Sequence, residues 1–350
     1  MKNSLWILLV FLFSLSTCTM PFEDIVKMSG MEMIEYNTKR VKKAAITVGI
    51  VQSGQMSYKV YGENGRELSH EEHIYEIGSI TKTFTTSLLS KAVSENKVSF
   101  DDSISRFLNV PAKDYYPSIK RLITHTSGYK NFYYEDYGTA NLPGRNPVYG
   151  TTGKMLLNRI GTINPENRDY PFVYSNFGMA VVGLILESIY NEDYTPLMNG
   201  YIKNELGLNS TKISDGSGDL ANYWQWDTGN PYIATGAITS TITDMMRYAK
   251  MQIDETPPYL ILSHGALARV NATPSGYDEL TRTDAVGAGW MIDSVNNIVW
   301  HGGGTGNYNS YLGFDKTRRI AVVVLSNMSD SLDITAAMIG SKLLGELQGR

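Results

Sequence analysis

Strand-like segments lie at both ends of this 350-residue chain, and the part between them has helical and loop-like patterns. Residues 45–51 form an apolar run and residues 56–61 alternate, so the turn at Ser53-Gly54 predicts a hairpin. Further strands are predicted near the C-terminus, at residues 287–293, 298–301, 308–315 and 320–325. Because one sheet built from both ends must hold the middle as an insertion, we expect a discontinuous α/β lobe with an inserted helical lobe.

Helices are predicted where apolar residues recur at helical spacing. They lie at residues 21–43, 80–95, 119–124, 176–190, 195–206, 241–253 and 333–347.

The composition excludes several kinds of site. One cysteine leaves no intramolecular disulfide and no cysteine-rich zinc module, and five scattered histidines give little material for a metal centre. A net charge of −4 gives none of the basic stripe that nucleic-acid binding needs. We therefore expect no metal, no cofactor and no nucleic-acid partner.

Residues 1–18 have the pattern of a secretory signal peptide, because Lys2 precedes an apolar run at residues 5–15 that is too short to span a bilayer. Residues 15–18, Leu-Ser-Thr-Cys, resemble a bacterial lipobox. Two interpretations stay open. Either Cys18 is lipidated and anchors the protein to a membrane, or the chain is cleaved near Cys18 and released. Both predict an exported protein, periplasmic or otherwise extracytoplasmic.

The sequence Gly78-Ser79-Ile80-Thr81-Lys82 stands at the start of the predicted helix 80–95. Residues three apart share a helix face, so the amine of Lys82 can reach the hydroxyl of Ser79. A serine hydroxyl needs a neighbour to take its proton, and a desolvated lysine can do so because burial lowers its pKa. By itself, however, Ser-x-x-Lys is also common on capped surface helices.

Two other groups can carry chemistry, although each is weak alone. Tyr174 and Asn176 precede the helix 176–190, and a phenol can relay a proton while an Asn amide can bind a substrate amide. His301 is followed by Gly-Gly-Gly-Thr-Gly at the end of the strand 298–301. A glycine-rich edge strand can pair with a peptide-like substrate and offer a backbone N–H to an oxyanion.

Together and in this order, the three groups resemble the motifs of the serine β-lactamase and penicillin-binding protein superfamily. The similarity is greatest to the branch that holds class C β-lactamases, low-molecular-weight DD-peptidases and related esterases. Residues 122–128, Leu-Ile-Thr-His-Thr-Ser-Gly, and segments 236–244 and 287–290 resemble further parts of that branch. Within the first of these segments, His125 is expected to pack structurally at a helix end.

The resemblance implies that Ser79 is the acylated nucleophile and that Lys82 is its proton partner. It implies that Tyr174 delivers a proton to the leaving group. The N–H groups of Ser79 and Gly304 would form the oxyanion hole.

The resemblance also implies substrate-binding roles for Asn176, His301 and Gly303. His301 stands where most β-lactamases have a lysine, and Gly302 lacks a hydroxyl that often binds a substrate carboxylate. The histidine favours a peptidase or an esterase over an efficient β-lactamase. The missing hydroxyl favours an ester or amide substrate that has no free terminal carboxylate.

The fold implied is an α/β (α+β) fold of the β-lactamase/transpeptidase type, with an antiparallel sheet flanked by helices and an inserted all-helical lobe. One hydrolase domain would span 19–350, with a sheet lobe at about 22–100 plus 285–350 and a helical lobe at about 101–284. The activity implied is that of a D-alanyl-D-alanine carboxypeptidase-like penicillin-binding protein on cell-wall peptides. The alternatives are an esterase for D-alanyl or small esters, a weak class C-like β-lactamase and a non-catalytic scaffold that binds wall material.

Overall fold

A computed structural model describes residues 20–69, 71–133, 144–270, 280–329 and 332–350. The predicted signal segment 1–18 and Cys18 lie outside the described residues, so their processing stays a prediction. Within the described ranges, no helix combines the length and the apolar character needed to cross a membrane.

Strands from both ends of the chain meet in one antiparallel sheet, as the sequence predicts. The strands of the described residues are β1 (Ile46–Gln52), β2 (Gln55–Tyr61), β3 (Tyr75–Glu76), β4 (Lys212–Ile213), β5 (Ile238–Ser240), β6 (Ala268–Arg269), β7 (Ala285–Val286), β8 (Met291–Asp293), β9 (Ile298–Gly304), β10 (Asn309–Asp315) and β11 (Ile320–Ser326). Eight of them form the main sheet in the order β2-β1-β11-β10-β9-β8-β7-β6. The two ends of the chain are joined where β1 pairs with β11, from Ile46 opposite Ser326 to Gln52 opposite Ile320.

Helices cover both faces of this sheet, and further helices joined by loops lie in the middle of the chain. Those of the described residues are α1 (Phe22–Lys27), α2 (Gly30–Arg40), α3 (Thr81–Ser94), α4 (Ile119–Ile123), α5 (Gly153–Thr162), α6 (Asn176–Tyr190), α7 (Tyr194–Gly200), α8 (Ile233–Gly236), α9 (Ile242–Asp254) and α10 (Ala336–Gln348).

The central strand β11 shows how the two lobes share a core. It is buried on both faces, and its first six residues, 320–325, are all apolar. Val322 and Val324 belong to the apolar cluster that includes residues of α2 and α10. Val323 and Leu325 belong to the larger cluster that includes α3, α6 and α9. The sheet therefore separates a thin terminal helix layer from the inserted lobe.

The structure corrects three of the predicted elements. Only the last part of the strand predicted at 287–293 forms, as β8, because a turn closed by the Gly287 N–H and the Trp290 oxygen (2.9 Å) separates β7 from β8. The helix predicted at 21–43 is two helices, because Ser29 caps the second one through a reciprocal pair of hydrogen bonds with Glu32. The middle of the chain also contains β-structure, since β3, β5 and β4 form a small second sheet.

Candidate active site

Ser79 lies in a 3₁₀ turn, Gly78–Ile80, that leads directly into α3. Gly78 has a φ angle of +49°, and a Cβ atom there would lie 2.6 Å from the backbone nitrogen of Gly304. Glycine meets both requirements, since it adopts positive φ without strain and lets two backbones approach closely. The turn therefore holds Ser79 against the end of β9.

Lys82 lies one helical turn beyond Ser79 and is completely buried. Its Nζ donates to Ser79 Oγ at 2.9 Å and to the backbone oxygen of Thr235, in α8, at 2.7 Å. Burial lowers the pKa of Lys82 well below its usual value. A lysine that is more readily neutral can accept a proton, so the arrangement provides Ser79 with a base.

Tyr174 lies just before α6 and faces the Ser79–Lys82 pair. Lys82 Nζ is 5.0 Å from the centroid of the Tyr174 ring. The Tyr174 hydroxyl is buried and has no hydrogen-bond partner among the described residues. Burial raises the pKa of Tyr174, and the neighbouring Ser79 hydroxyl only partly offsets that rise. The phenol therefore keeps its proton at neutral pH and is able to donate it.

Asn176 begins α6, at the predicted residue. Its Nδ2 donates to Asn131 Oδ1 at 2.8 Å, and its backbone N–H donates to the same oxygen at 3.1 Å. Asn131 thus holds the start of α6, a role that the sequence analysis did not foresee. The carbonyl oxygen of the Asn176 amide is the side-chain atom left to meet a substrate.

His301 is buried near the end of β9, and its ring centroid lies 6.2 Å from that of Tyr174. Its Nδ1 donates to the Gly302 carbonyl oxygen at 2.6 Å, since a carbonyl only accepts. Nε2 is therefore the acceptor nitrogen, and it has no partner among the described residues. Burial and the nearby Lys82 lower the pKa of His301 to about 3, so the ring is neutral at pH 7.

The end of β9 presents a strand edge beside the candidate nucleophile. Strand β9 pairs with β10 as far as Gly304, but it pairs with β8 only at residues 298–300. A Cβ atom on Gly303 would lie 2.0 Å from the Ile77 oxygen, so only glycine allows this approach to the Ser79 turn. Among the described strands, residues 301–304 therefore keep one edge open while they lie against residues 77–79.

A cavity of about 330 Å³ opens beside Ser79. Tyr174 and His301 line it near Ser79, and Met291, Trp300 and Ala337 also line it. Ala337 belongs to α10, and a Cβ atom on Gly302 would lie 3.5 Å from its Cβ. Among the described residues of the lining, none is a Lys, Arg, Asp or Glu.

The structure brings the predicted site residues together from three parts of the chain. The residues that meet beside the Ser79 hydroxyl are Lys82, Tyr174, His301, Gly303 and Gly304. Asn176 lies just after Tyr174 in the chain and does not line the cavity. No three His, Cys, Asp or Glu side chains within the described ranges converge as a metal site would require.

Comparisons with known proteins show which family this chain resembles. The sequence pattern of the family described as Beta-lactamase matches residues 34–341. Protein flp of Staphylococcus aureus (strain NCTC 8325 / PS 47) is 24% identical over 283 residues, which cover 73% of this chain and 53% of flp. The chain thus spans about half the length of that relative. A protein named Beta-lactamase from Lysobacter lactamgenus is 23% identical over 335 residues, which cover 82% of this chain and 83% of that protein.

Solved structures share the fold at low sequence identity. The octameric penicillin-binding protein homologue from Pyrococcus abyssi has a TM-score of 0.71 and 23% identity, covering 95% of this chain and 78% of its own. A class C β-lactamase from Rhodobacter sphaeroides has a TM-score of 0.67 and 17% identity, and the match covers 91% of this chain and 99% of that chain. A β-lactamase/D-alanine carboxypeptidase from Yersinia pestis has a TM-score of 0.65 and 19% identity, and the match covers 94% of this chain and 99% of that chain.

These structures confirm the predicted fold class. The family pattern extends over most of the chain, from α2 through the Ser79 turn and β9 into α10. The chain belongs to the Beta-lactamase family, within the superfamily of serine β-lactamases and penicillin-binding proteins.

Proposed function

We propose that the protein is a serine hydrolase that acts through a covalent acyl-Ser79 intermediate, as a D-alanyl-D-alanine carboxypeptidase on cell-wall peptides. One observation carries the catalytic part of this proposal. The Nζ of a completely buried lysine, Lys82, donates to Ser79 Oγ at 2.9 Å. A lysine on an ordinary capped surface helix would keep its amine in water, where it would be protonated at neutral pH and unable to serve as a base.

Acylation would begin when neutral Lys82 accepts the Ser79 hydroxyl proton and Oγ bonds to the substrate carbonyl carbon. The carbonyl oxygen takes the negative charge, and the N–H groups of Ser79 and Gly304 stabilise it. One preorganised donor of this kind lowers the activation free energy by about 3–4 kcal/mol. The carbon–nitrogen bond to the leaving amine then breaks.

The proton taken from Ser79 has to reach that leaving amine. Tyr174, which is protonated at neutral pH, donates its phenolic proton and recovers one from Lys82. Water then hydrolyses the acyl-Ser79 ester, releases the acid and restores the serine hydroxyl. No net proton is gained or lost by the three side chains.

The open edge of β9 supports a peptide-like substrate. An extended peptide can add to an unpaired strand edge through backbone hydrogen bonds, and residues 301–304 offer such an edge. The Asn176 amide would accept from the substrate amide, and the unpaired Nε2 of His301 would accept a further hydrogen bond. The D-alanine carboxypeptidase in the name of the Yersinia pestis protein supports this substrate class.

An esterase for D-alanyl or small esters is the second candidate, and the cavity lining favours it. A substrate with a free terminal carboxylate needs a cationic or hydroxyl partner when it is desolvated. The described lining contains no Lys or Arg, and His301 is neutral. The Ser310 hydroxyl already donates to the Ile77 oxygen at 2.8 Å, so besides the two hydroxyls of the proposed reaction only the Thr335 hydroxyl is left in the described lining as a partner of that kind. An uncharged ester would place no unpaired charge against these groups.

Labelling with a fluorescent penicillin tests the catalytic proposal. Wild-type protein should be labelled covalently, whereas Ser79→Ala should not. Ser94→Ala is the matched control, because Ser94 is an exposed serine on the same helix. Absence of Ser79-dependent labelling, together with no turnover of activated esters, would reject the proposal.

Substrate comparison then decides between the two candidates. A D-Ala-D-Ala peptide, p-nitrophenyl acetate and nitrocefin should be offered to wild type and to Ser79→Ala under the same conditions. Preferential release of D-alanine supports the carboxypeptidase, whereas turnover of the neutral ester alone supports the esterase.

We also propose that the protein is exported, on the strength of Lys2 and the apolar run at residues 5–15. Fractionation of cells that express the full chain or Cys18→Ser tests this. A membrane-bound wild type and a released variant would support lipidation, whereas retention of both in the cytoplasm would reject export.

A further inference from the structure

His125 holds the backbone on both sides of Tyr174. The Val173 N–H donates to the His125 backbone oxygen at 3.0 Å, and the Ser175 N–H donates to His125 Nδ1 at 3.1 Å. The imidazole also packs on the Tyr174 ring, with centroids 4.6 Å apart and planes tilted by 35°. His125 therefore makes three contacts with Tyr174 and its two neighbours in the chain, one through its backbone carbonyl and two through its imidazole ring.

We propose that His125 is a positioning residue that fixes the Tyr174 phenol beside Ser79 and Lys82. The inference rests on the proposed function, in which Tyr174 transfers the proton. It replaces the expectation from the sequence that His125 serves only in structural packing at a helix end.

The segment that carries Tyr174 needs such a support. Residues 170–174 form neither helix nor strand. Ser175 is tied to α6 as its N-cap, since its carbonyl accepts from the Met179 N–H at 3.3 Å and its hydroxyl accepts from the Gly178 N–H at 2.9 Å. Val173 is 51% exposed and therefore cannot anchor the segment by burial. Its N–H and that of Ser175 both find their acceptor on His125. Substitution of the His125 side chain would leave the Val173 bond to the backbone oxygen in place and would remove the acceptor of the Ser175 N–H.

His125 is itself held firmly enough to act as a reference point. It is 2% exposed and follows α4, where its N–H donates to the Leu122 oxygen at 3.1 Å. Phe172 packs edge-on against the imidazole, with centroids 5.6 Å apart. The residue adopts a φ of +58°, a conformation that His and Asn tolerate better than most other side chains.

The hydrogen bond from Ser175 also determines the protonation state of the ring. Since Nδ1 accepts, the neutral tautomer carries its proton on Nε2. Burial is the largest cause that lowers the pKa of His125, and it lowers it well below the usual value. The acceptor is therefore retained at neutral pH.

Two substitutions with side chains of similar shape distinguish the effect of losing the Nδ1 acceptor from the effect of losing the volume of the ring. His125→Asn keeps an acceptor near the position of Nδ1 and suits the positive φ, whereas His125→Leu has no acceptor. We expect His125→Leu to acylate about 10- to 100-fold more slowly than wild type, because small displacements of a catalytic group have effects of that size. His125→Asn should recover a clear part of that loss.

A double-mutant comparison distinguishes positioning from general stability. In a Tyr174→Phe background no phenolic proton remains to be positioned, so His125→Leu should cause no further loss of acylation rate. Thr124→Val is the matched control. Thr124 is equally buried, and among the described residues its hydroxyl bonds to the Lys120 oxygen at 2.8 Å and to Thr126 Oγ1 at 2.9 Å, not to Tyr174. It should lower thermal stability and leave the acylation rate of folded protein unchanged.

Crystal structures of both His125 variants give a readout that does not depend on activity. The Tyr174 ring should move in His125→Leu and keep its place in His125→Asn. An unmoved ring in His125→Leu, or equal losses with and without the Tyr174 hydroxyl, overturns the inference. Failure of wild-type labelling, together with no turnover of activated esters, would instead reject the proposed function, and the ring position would still decide the role of His125.

Discussion

Gly303→Ala is the substitution for which the structure allows the most direct estimate. An added Cβ would lie 2.0 Å from the Ile77 oxygen and 2.5 Å from Ser310 Oγ, and Cβ contacts below 3.0 Å essentially do not occur. The difference between 3.0 and 2.0 Å requires β9 to move by about 1 Å away from the Ser79 turn. Because Gly304 follows directly, its N–H moves with the strand.

A displacement of about 1 Å at a reacting centre can lower a rate about 100-fold. We therefore expect the acylation rate of Gly303→Ala to fall by about that factor, with a loss of about 1–3 kcal/mol in the free energy of unfolding from overpacking. The rate is measured by time-resolved labelling with a fluorescent penicillin, and the stability by urea unfolding. Protein concentrations are corrected for the folded fraction.

Gly302→Ala provides the comparison, since its added Cβ would meet the nearest atom, Ala337 Cβ, at an ordinary 3.5 Å. It adds the same methyl group one residue earlier in the same strand. Gly303→Ala should therefore be much slower than Gly302→Ala. Equal rates for the two variants would refute the claim that the close approach of β9 to residues 77–79 positions the oxyanion donor.

Three further outcomes are expected. Lys82→Met should lower the acylation rate about 100- to 10,000-fold because the base is lost. Its melting temperature should stay equal or rise because an apolar chain replaces a buried amine. Near-normal labelling would show that Lys82 is not the base. Folded His301 stays neutral down to about pH 3, whereas the unfolded side chain gains a proton below about pH 6.5. Between these values His301 should therefore lower the free energy of unfolding by about 1.4 kcal/mol for each pH unit of decrease. Urea unfolding at pH 7, 6 and 5 should show that the free energy of unfolding falls less steeply in His301→Gln than in wild type. Equal slopes for the two proteins would contradict this. Glu76→Gln should lower the free energy of unfolding, measured in urea, by about 1–3 kcal/mol. The buried Glu76 carboxylate accepts from the Thr305 hydroxyl and the Trp224 N–H, both at 2.6 Å, and an amide has only one oxygen to accept with. An unchanged unfolding midpoint would contradict a stabilising role for these two hydrogen bonds.

Local patterns predicted much of the secondary structure and part of the site. The start of α6 at Asn176 and the hairpin of β1 and β2 follow from short-range alternation and capping, so their limits were predictable to within a residue or two. The turn between β7 and β8 was missed because Gly287 is required by a distant neighbour. A Cβ atom there would lie 2.2 Å from the Ser263 oxygen. Such a requirement leaves no periodic trace in the sequence.

The sequence by itself determined the pairing of Ser79 with Lys82, because residues three apart on a helix face the same way whatever surrounds them. It also determined that strands from both ends share a sheet, because their apolar patterns need a common core. Only the tertiary structure decided that Lys82 is buried, that His125 supports Tyr174 and that β9 approaches the Ser79 turn closely. These facts depend on contacts between residues far apart in the chain, and packing rather than local preference determines which of them meet.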